Sequence, residues 1–256
     1  MTSKNYGSTY YNWRSNFAVS SAEAIVPFIM KCFSPTSVTD VGCAEGSWLS
    51  VFAKHGVNKI RGFDGPWVSK DELIISIEQF TTQDLEIFKA PDNEHFDLAI
   101  SLEVAEHLDE TSADNFVQQL TKLSNRILFS AAIPGQGGLH HLNEQPPSYW
   151  AKKFNRYGFD QLDFLRPIFW DDERIEWWYR QNFFIYEKRK HAIPKSQSSN
   201  QKATFLGAHL VHPTAFKEKQ IELDLNNISA VNLAKAFFRR LVRLINKKKK
   251  ANSINA

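Results

Sequence analysis

The chain has 256 residues, enough for one large domain or two small ones with a sizeable buried core. Hydrophobic residues make up 43% and charged residues 23%, an ordinary globular balance, and no apolar run approaches the roughly 20 residues that span a bilayer. Of the 31 Lys and Arg, eight lie from Leu225 onward, where there is no Asp or Glu, so the preceding chain sets 23 basic groups against all 28 acidic ones. A mildly acidic body with a basic tail excludes a globally basic nucleic-acid surface, and nucleic acid is not the expected partner.

The two cysteines, Cys32 and Cys43, have neither metal spacing nor a disulfide framework. The first residues, MTSKNYGSTYYNW, show no basic-then-apolar leader. Both features point to a reducing, cytoplasmic setting.

In chain order, SSAEAIVPFIMKCF has helical periodicity, and SVTDVG is a short β-rich run ending in Asp and Gly. SWLSVFAKHG reads as a helix closed by a glycine, KIRGFDG as a second strand and QFTTQDL as a third. FDLAISL is a continuous apolar strand, SADNFVQQLTKLSN a helix and RILFSAAIP another buried strand. SYWAKKFNRYGF predicts a helix, and DQLDFLRPIFW and QNFFIYEK predict two strands paired antiparallel at one edge, with a turn at DDERIEWW. Such alternation argues for a doubly wound, Rossmann-like α/β sheet. We expect one domain over residues 1–190, a polar linker over 191–202 and a C-terminal extension over 203–256.

Two sets of residues carry chemistry. In Asp40-Val41-Gly42-Cys43-Ala44-Glu45-Gly46-Ser47, small residues at 42, 44 and 46 allow a tight strand-to-helix turn that a ligand can approach. The spacing is not that of the dinucleotide fingerprint, and the preceding acid suits a ligand bearing an amino or sulfonium group. The simplest reading is a turn with no ligand, but two further strand-end acids favour a site. Asp64 lies about 20 residues beyond the turn, where an α/β nucleoside site places a carboxylate on ribose. Asp84 follows the third strand and can accept from an adenine amino group.

The segments VTDVGCAEGSWL, GFDGPW, QDLE, FDLAISLEVAEHL and RILFSAAIPGQGG resemble those of class I S-adenosylmethionine-dependent methyltransferases. More narrowly, the loop PGQGG…HLNEQ…YW resembles that of bacterial members associated with surface-polysaccharide genes. The resemblance runs from about Ser20 to Glu187. It implies a seven-stranded sheet with an antiparallel final strand. It also implies that Gly42, Ala44 and Gly46, with Asp40 nearby, line the methionine part of the cofactor, Asp64 the ribose and Asp84 the adenine edge. Glu103 is included in that cofactor set and, with His107 and His141, is also a candidate catalytic residue. Ala44 departs from the family's usual glycine.

The second set is Glu103, Glu106 and His107, followed by a long loop over residues 134–150 that carries His140, His141, Asn143, Glu144 and Gln145. If EVAEHL opens an α-helix, Glu103 and His107 stand at i,i+4 and share a face with Glu106. Three readings remain open. Glu106 is a helix-terminal acid beside a surface histidine; or His107 or His141 is a general base for an acceptor hydroxyl; or Glu103, Glu106, His107 and His141 hold Mg, Mn or Zn. The Glu-x-x-Glu-His pattern is similar to that of metal-dependent small-RNA 2′-O-methyltransferases and ubiquinone-pathway O-methyltransferases.

The segment around Trp170, Trp177, Trp178 and Tyr179 reads as core or strand pairing before it reads as a sugar platform. The tail has Ala234, Phe237, Phe238, Leu241, Leu244 and Ile245 interleaved with Lys and Arg, a basic amphipathic helix. Through residues 230–250 it suits either docking on the body or peripheral binding to an anionic inner leaflet. The resemblance implies a glycan or small-molecule acceptor, with a sugar hydroxyl favoured. A metal-dependent RNA 2′-O-methyltransferase and a methyltransferase of a quinone-like metabolite are the alternatives.

Overall fold

The computed structural model describes residues 8–189 and 210–223. Its residues group into two compact units, Met1–His212 and Pro213–Ala256. The second contributes one described helix, α7 (Pro213–Leu223). The expected linker and the basic segment over residues 230–250 lie outside the described residues.

The first unit opens with α1 (Ser8–Phe33), longer than the periodicity from Ser20 predicts. Pro27 sits inside that helix on its exposed side, so the carbonyl deprived of a partner is within reach of water. There follow β1 (Ser37–Val41), α2 (Ser47–Lys54), β2 (Lys59–Asp64), β3 (Phe80–Thr82) and β4 (Leu98–Leu102). Then come α3 (Ala113–Leu123), β5 (Arg126–Ser130), α4 (Pro147–Arg156), β6 (Phe159–Leu162), α5 (Leu165–Phe169), α6 (Trp177–Asn182) and β7 (Phe184–Lys188).

The seven strands form one sheet in the order β3-β2-β1-β4-β5-β7-β6. The first five are parallel, and β7 runs antiparallel to both β5 and β6. This is the doubly wound architecture with an antiparallel end that the sequence predicts. Alternating side chains feed two cores. Leu98, Ile100 and Leu102 of β4 face the layer of α1 and α2, while Ala99 faces that of α3 and α4. Residues such as Leu49, Phe52, Phe116 and Phe154 are fully buried, each contributing roughly 1.5–3 kcal/mol relative to exposure.

Two expectations need correction. The strand predicted over DQLDFLRPIFW stops at Leu162, and Leu165–Phe169 is helical. Pro167 has no N–H to give a ladder, so the apolar run cannot continue as a strand. EVAEHL does not open an α-helix: Ala105–His107 is a single 3-10 turn, and Val104 before it is not helical. The i,i+4 face expected for Glu103 and His107 therefore does not form.

The aromatic segment is core, as predicted. Trp177 and Tyr179 are buried, Tyr179 stacks on Phe183 at 5.4 Å, and Trp48 meets Tyr179 edge-on. No helix among the described residues is long and apolar enough to cross a membrane.

Candidate active site at the carboxyl edge of the sheet

The strands β1, β2 and β4 end together, and their last residues build the first half of the site. After β1 the chain turns through Gly42 and Gly46, both in the left-handed region at φ 91 and 93. A side chain at either would also collide: a Cβ at Gly42 would lie 2.2 Å from Val104 Cγ2, and one at Gly46 2.8 Å from Ile75 Cγ1. Ala44 adopts φ 47, which accounts for the family's preference for glycine there. The turn is locked to β2, since the Gly42 and Cys43 amides both donate to the Phe63 carbonyl, at 2.7 and 3.2 Å.

Asp64 closes this turn. Its carboxyl accepts from the Ala44 amide at 2.7 Å and from the Gly65 amide at 2.6 Å. Asp40 and Asp64 are both buried. Burial pushes the Asp64 carboxyl up to about 6, despite those hydrogen bonds. The Asp40 carboxyl is also raised, first by burial and then by the charge of Asp64. Two adjoining acids kept out of water favour a cationic or hydroxyl-rich partner. Asp84 stands apart from them in role: it is exposed, and one of its oxygens accepts from the Glu86 amide at 3.0 Å to cap the turn Leu85–Ile87.

Glu103 ends β4 with φ 55, a conformation sparsely populated by residues other than glycine. Its backbone amide donates to the Ser130 carbonyl and hydroxyl, both at 3.1 Å. Its carboxylate is clamped by two amides, Gln136 Nε2 on Oε2 and Asn182 Nδ2 on Oε1, each at 3.0 Å. Asn182 also donates to Gln136 Oε1 at 3.0 Å. The site thus joins β4, the loop after β5 and the end of α6. Sequence reasoning missed Gln136 and Asn182. Asn182 carries no local signal, whereas Gln136 lies among the glycines of the loop already marked as functional.

Glu106, His107 and His141 form a second group, in which one potential ligating atom from each lies within 4.8 Å of the others. Glu103 is not part of it, because its carboxylate is turned to Gln136 and Asn182. Glu106 is fully buried, and the His107 and His141 rings meet edge-on at 4.8 Å. The loop is fastened over this turn, with the Leu142 and Asn143 amides both donating to the Glu106 carbonyl, at 2.8 and 2.9 Å. Glu144 organises the loop from within, accepting from the Gly135 amide at 2.8 Å, the Gly137 amide at 2.6 Å and His141 Nδ1 at 2.9 Å. An ionised carboxylate can only accept, so the proton of neutral His141 sits on Nδ1 and Nε2 keeps its lone pair. Gly138 makes room for that ring: a Cβ there would lie 2.2 Å from Nε2.

The residues from 14 to 184 match the family model described as a methyltransferase domain. The chain belongs to that family. No curated protein matches the sequence. Among solved structures, the chain is similar to an O-methyltransferase family protein from Burkholderia thailandensis, at 11% identity and TM-score 0.52, over 73% of this chain and 62% of the other. It is similar to DesVI from Streptomyces venezuelae, at 13% identity and TM-score 0.50, over 71% and 96%. It is also similar to the plantazolicin methyltransferase BpumL solved in complex with SAH, at 16% identity and TM-score 0.50, over 71% and 89%. At these identities the likeness speaks for the fold, that of the S-adenosylmethionine-dependent methyltransferases.

Proposed function

We propose that this methyltransferase transfers a methyl group from S-adenosylmethionine to a sugar hydroxyl of a surface-polysaccharide or lipid-linked glycan precursor. The cofactor supplies, when bound, a methyl group activated by sulfonium for displacement by a nucleophilic oxygen. The chain's own residues suit it. Gly42 and Gly46 leave their α-carbons bare where a Cβ would collide. Asp40 and Asp64 supply negative charge and hydrogen-bond acceptors out of water, and Asp84 is assigned the base edge.

The observation that carries the reading is the adjacency of two half-sites. Val104 packs on Gly42, and Glu106 and His107 lie two and three residues beyond it, in the turn it opens. The imidazole pair therefore begins beside the glycine turn, where an acceptor must approach. His141, oriented by Glu144, presents Nε2 to take the acceptor's proton, and His107 lines the same place. Glu103, held by Gln136 and Asn182, fixes the distance between the halves. Positioning supplies most of the rate in such a reaction. The test is transfer of labelled methyl from S-adenosylmethionine into a glycan or lipid extract, with product identification. Loss of label in His141→Ala with cofactor binding retained supports this reading, and label appearing in RNA or in a small quinone-like fraction overturns it.

One observation favours a second reading of the same cluster. Glu106, His107 and His141 offer the mixed carboxylate and imidazole donors that suit Mg, Mn or Zn. A divalent ion there would make an acceptor hydroxyl more acidic. Glu103 does not belong to this ligand set. Manganese soaked into crystals would give anomalous density between His107 and His141 under this reading, and no density would refute it.

We further place the reaction at the cytoplasmic face of the inner membrane, with residues 230–250 as a peripheral anchor on anionic lipid. Flotation with liposomes tests this, since equal binding with and without residues 230–256 would refute it.

A further inference from the structure

Asp64 reaches its burial by a route that the strand ends do not explain. Only 6% of it is exposed, although it ends β2 at the edge where a ligand must enter. The cover is Trp67. Its indole N–H donates to the Asp64 carboxyl, alongside the Ala44 and Gly65 amides. Its ring lies flat on the bare α-carbon of Gly65, where a Cβ would come within 2.2 Å of Cη2. Yet Trp67 itself is 36% exposed, among the large apolar side chains left facing solvent. Pro66 beside it is exposed as well, and Val68 re-enters the core. The indole is thus fastened at its polar tip, rests its face on Gly65 and leaves about a third of its surface to solvent.

We propose that Trp67 occupies the ribose seat on Asp64 in the ligand-free protein and swings aside when a nucleoside enters, its face then forming one wall of the base pocket. The exchange is chemically even: a nucleoside hydroxyl replaces the indole N–H as donor to the same carboxyl. The displaced ring gains a stacking partner that every purine offers. The short reach from Trp67 to Asp64 allows this with rotation of one side chain, because Gly65 presents no Cβ to block the ring. The proposal rests on the reading that this site takes S-adenosylmethionine.

The test uses S-adenosylhomocysteine as the probe and the full chain labelled with 5-fluorotryptophan, the Trp67 resonance being assigned by its loss in Trp67→Phe. Calorimetry and fluorine NMR are run on the same titration. The Trp67 resonance is expected to shift on saturation by more than that of buried Trp48. Trp67→Phe keeps an aromatic wall but no N–H, and should bind S-adenosylhomocysteine roughly threefold to tenfold tighter than the parent chain, the net worth of one hydrogen bond. Trp67→Ala, which loses both, should bind more weakly than Trp67→Phe. Binding with an unmoved Trp67 resonance overturns the proposal, as does a Trp67→Phe affinity equal to or below the parent's. Absence of any binding to the parent chain overturns the cofactor reading instead.

Discussion

The two edges of the one sheet use aspartate in opposite ways. At the amino edge, Asp97 precedes β4 and accepts from the Thr36 amide at 2.8 Å, the Thr36 hydroxyl at 2.7 Å and the Ser37 amide at 3.1 Å. Those donors hold its carboxyl below the usual range. At the carboxyl edge, Asp64 also accepts hydrogen bonds, yet burial outweighs them and the carboxyl is pushed up to about 6. A groove of about 580 Å³ does open at the amino edge, but its acids are already engaged: Asp97 accepts from Thr36 and Ser37, and Glu187 pairs with Arg126 at 2.5 Å. Acids whose charged form is stabilised by nearby donors mark a structural edge. Acids whose charged form is penalised mark the edge adapted to a ligand.

The largest expected effect comes from adding one carbon at each edge. Gly42 and Gly56 both have left-handed backbones, φ 91 and 90, but a Cβ at Gly42 meets Val104 whereas one at Gly56 meets nothing within 4 Å. Gly42→Ala should therefore lose S-adenosylhomocysteine affinity by roughly a hundredfold, the scale of a misplacement of about an ångström. Gly56→Ala carries only the backbone penalty of about 1–2 kcal/mol and should keep full affinity. Isothermal titration and thermal melts on both variants decide it. Equal affinity in the two would break the contrast.

Glu144→Gln comes next. The amide can still accept from His141 Nδ1, but its NH2 group then faces one of the Gly135 and Gly137 amides. Methyl transfer should fall about 10- to 100-fold, the usual cost of disturbing a partner that orients a histidine, with S-adenosylhomocysteine affinity unchanged. A fall in both together would mean that Glu144 holds the whole edge together and not His141 alone.

How much of this was legible follows from where the information lies. Buried parallel strands are written as apolar runs, so β1, β4 and β5 could be found, and the glycine turn announces itself by composition. The place of β7 between β5 and β6 could not, because strand order is decided by pairing across the sheet. The Glu103 geometry failed for a related reason. Helical spacing predicted a shared face with His107, whereas Gln136 and Asn182, distant in the chain, turn Glu103 elsewhere. Glu144 was visible as a polar loop residue, but its grip on His141 depends on loop geometry that has no periodicity to read.

Asp64→Asn sharpens the contrast through pH. An acid whose carboxyl is raised by folding contributes stability at low pH and loses it as pH rises through its folded value, here about 6. From the ordinary carboxylate range near pH 4 up to that value, Asp64 should cost the ligand-free protein roughly 2–3 kcal/mol. The Asn variant should show a flatter stability profile across that interval in urea melts at several pH values. Ligand affinity in the parent chain should rise over the same interval as the carboxyl ionises. A profile unchanged by Asp64→Asn would show that another group, Asp40 first, carries the burial penalty.

The smallest effect is at the opposite edge and has the opposite sign. Folding lowers the Asp97 carboxyl, so its contribution is present above the ordinary range and fades as pH falls. Asp97→Ala removes the acceptor shared by Thr36 and Ser37, which resembles the loss of a helix cap and should cost about 1 kcal/mol at pH 7, or 2–4 °C in Tm for a unit of this size. That loss should shrink as pH falls through the lowered Asp97 value, where the parent carboxyl is itself protonated, while S-adenosylhomocysteine binding stays at the parent value throughout. If Asp97→Ala instead weakened ligand binding, the amino edge would have to be counted as part of the functional surface, and the division of labour between the edges would fall.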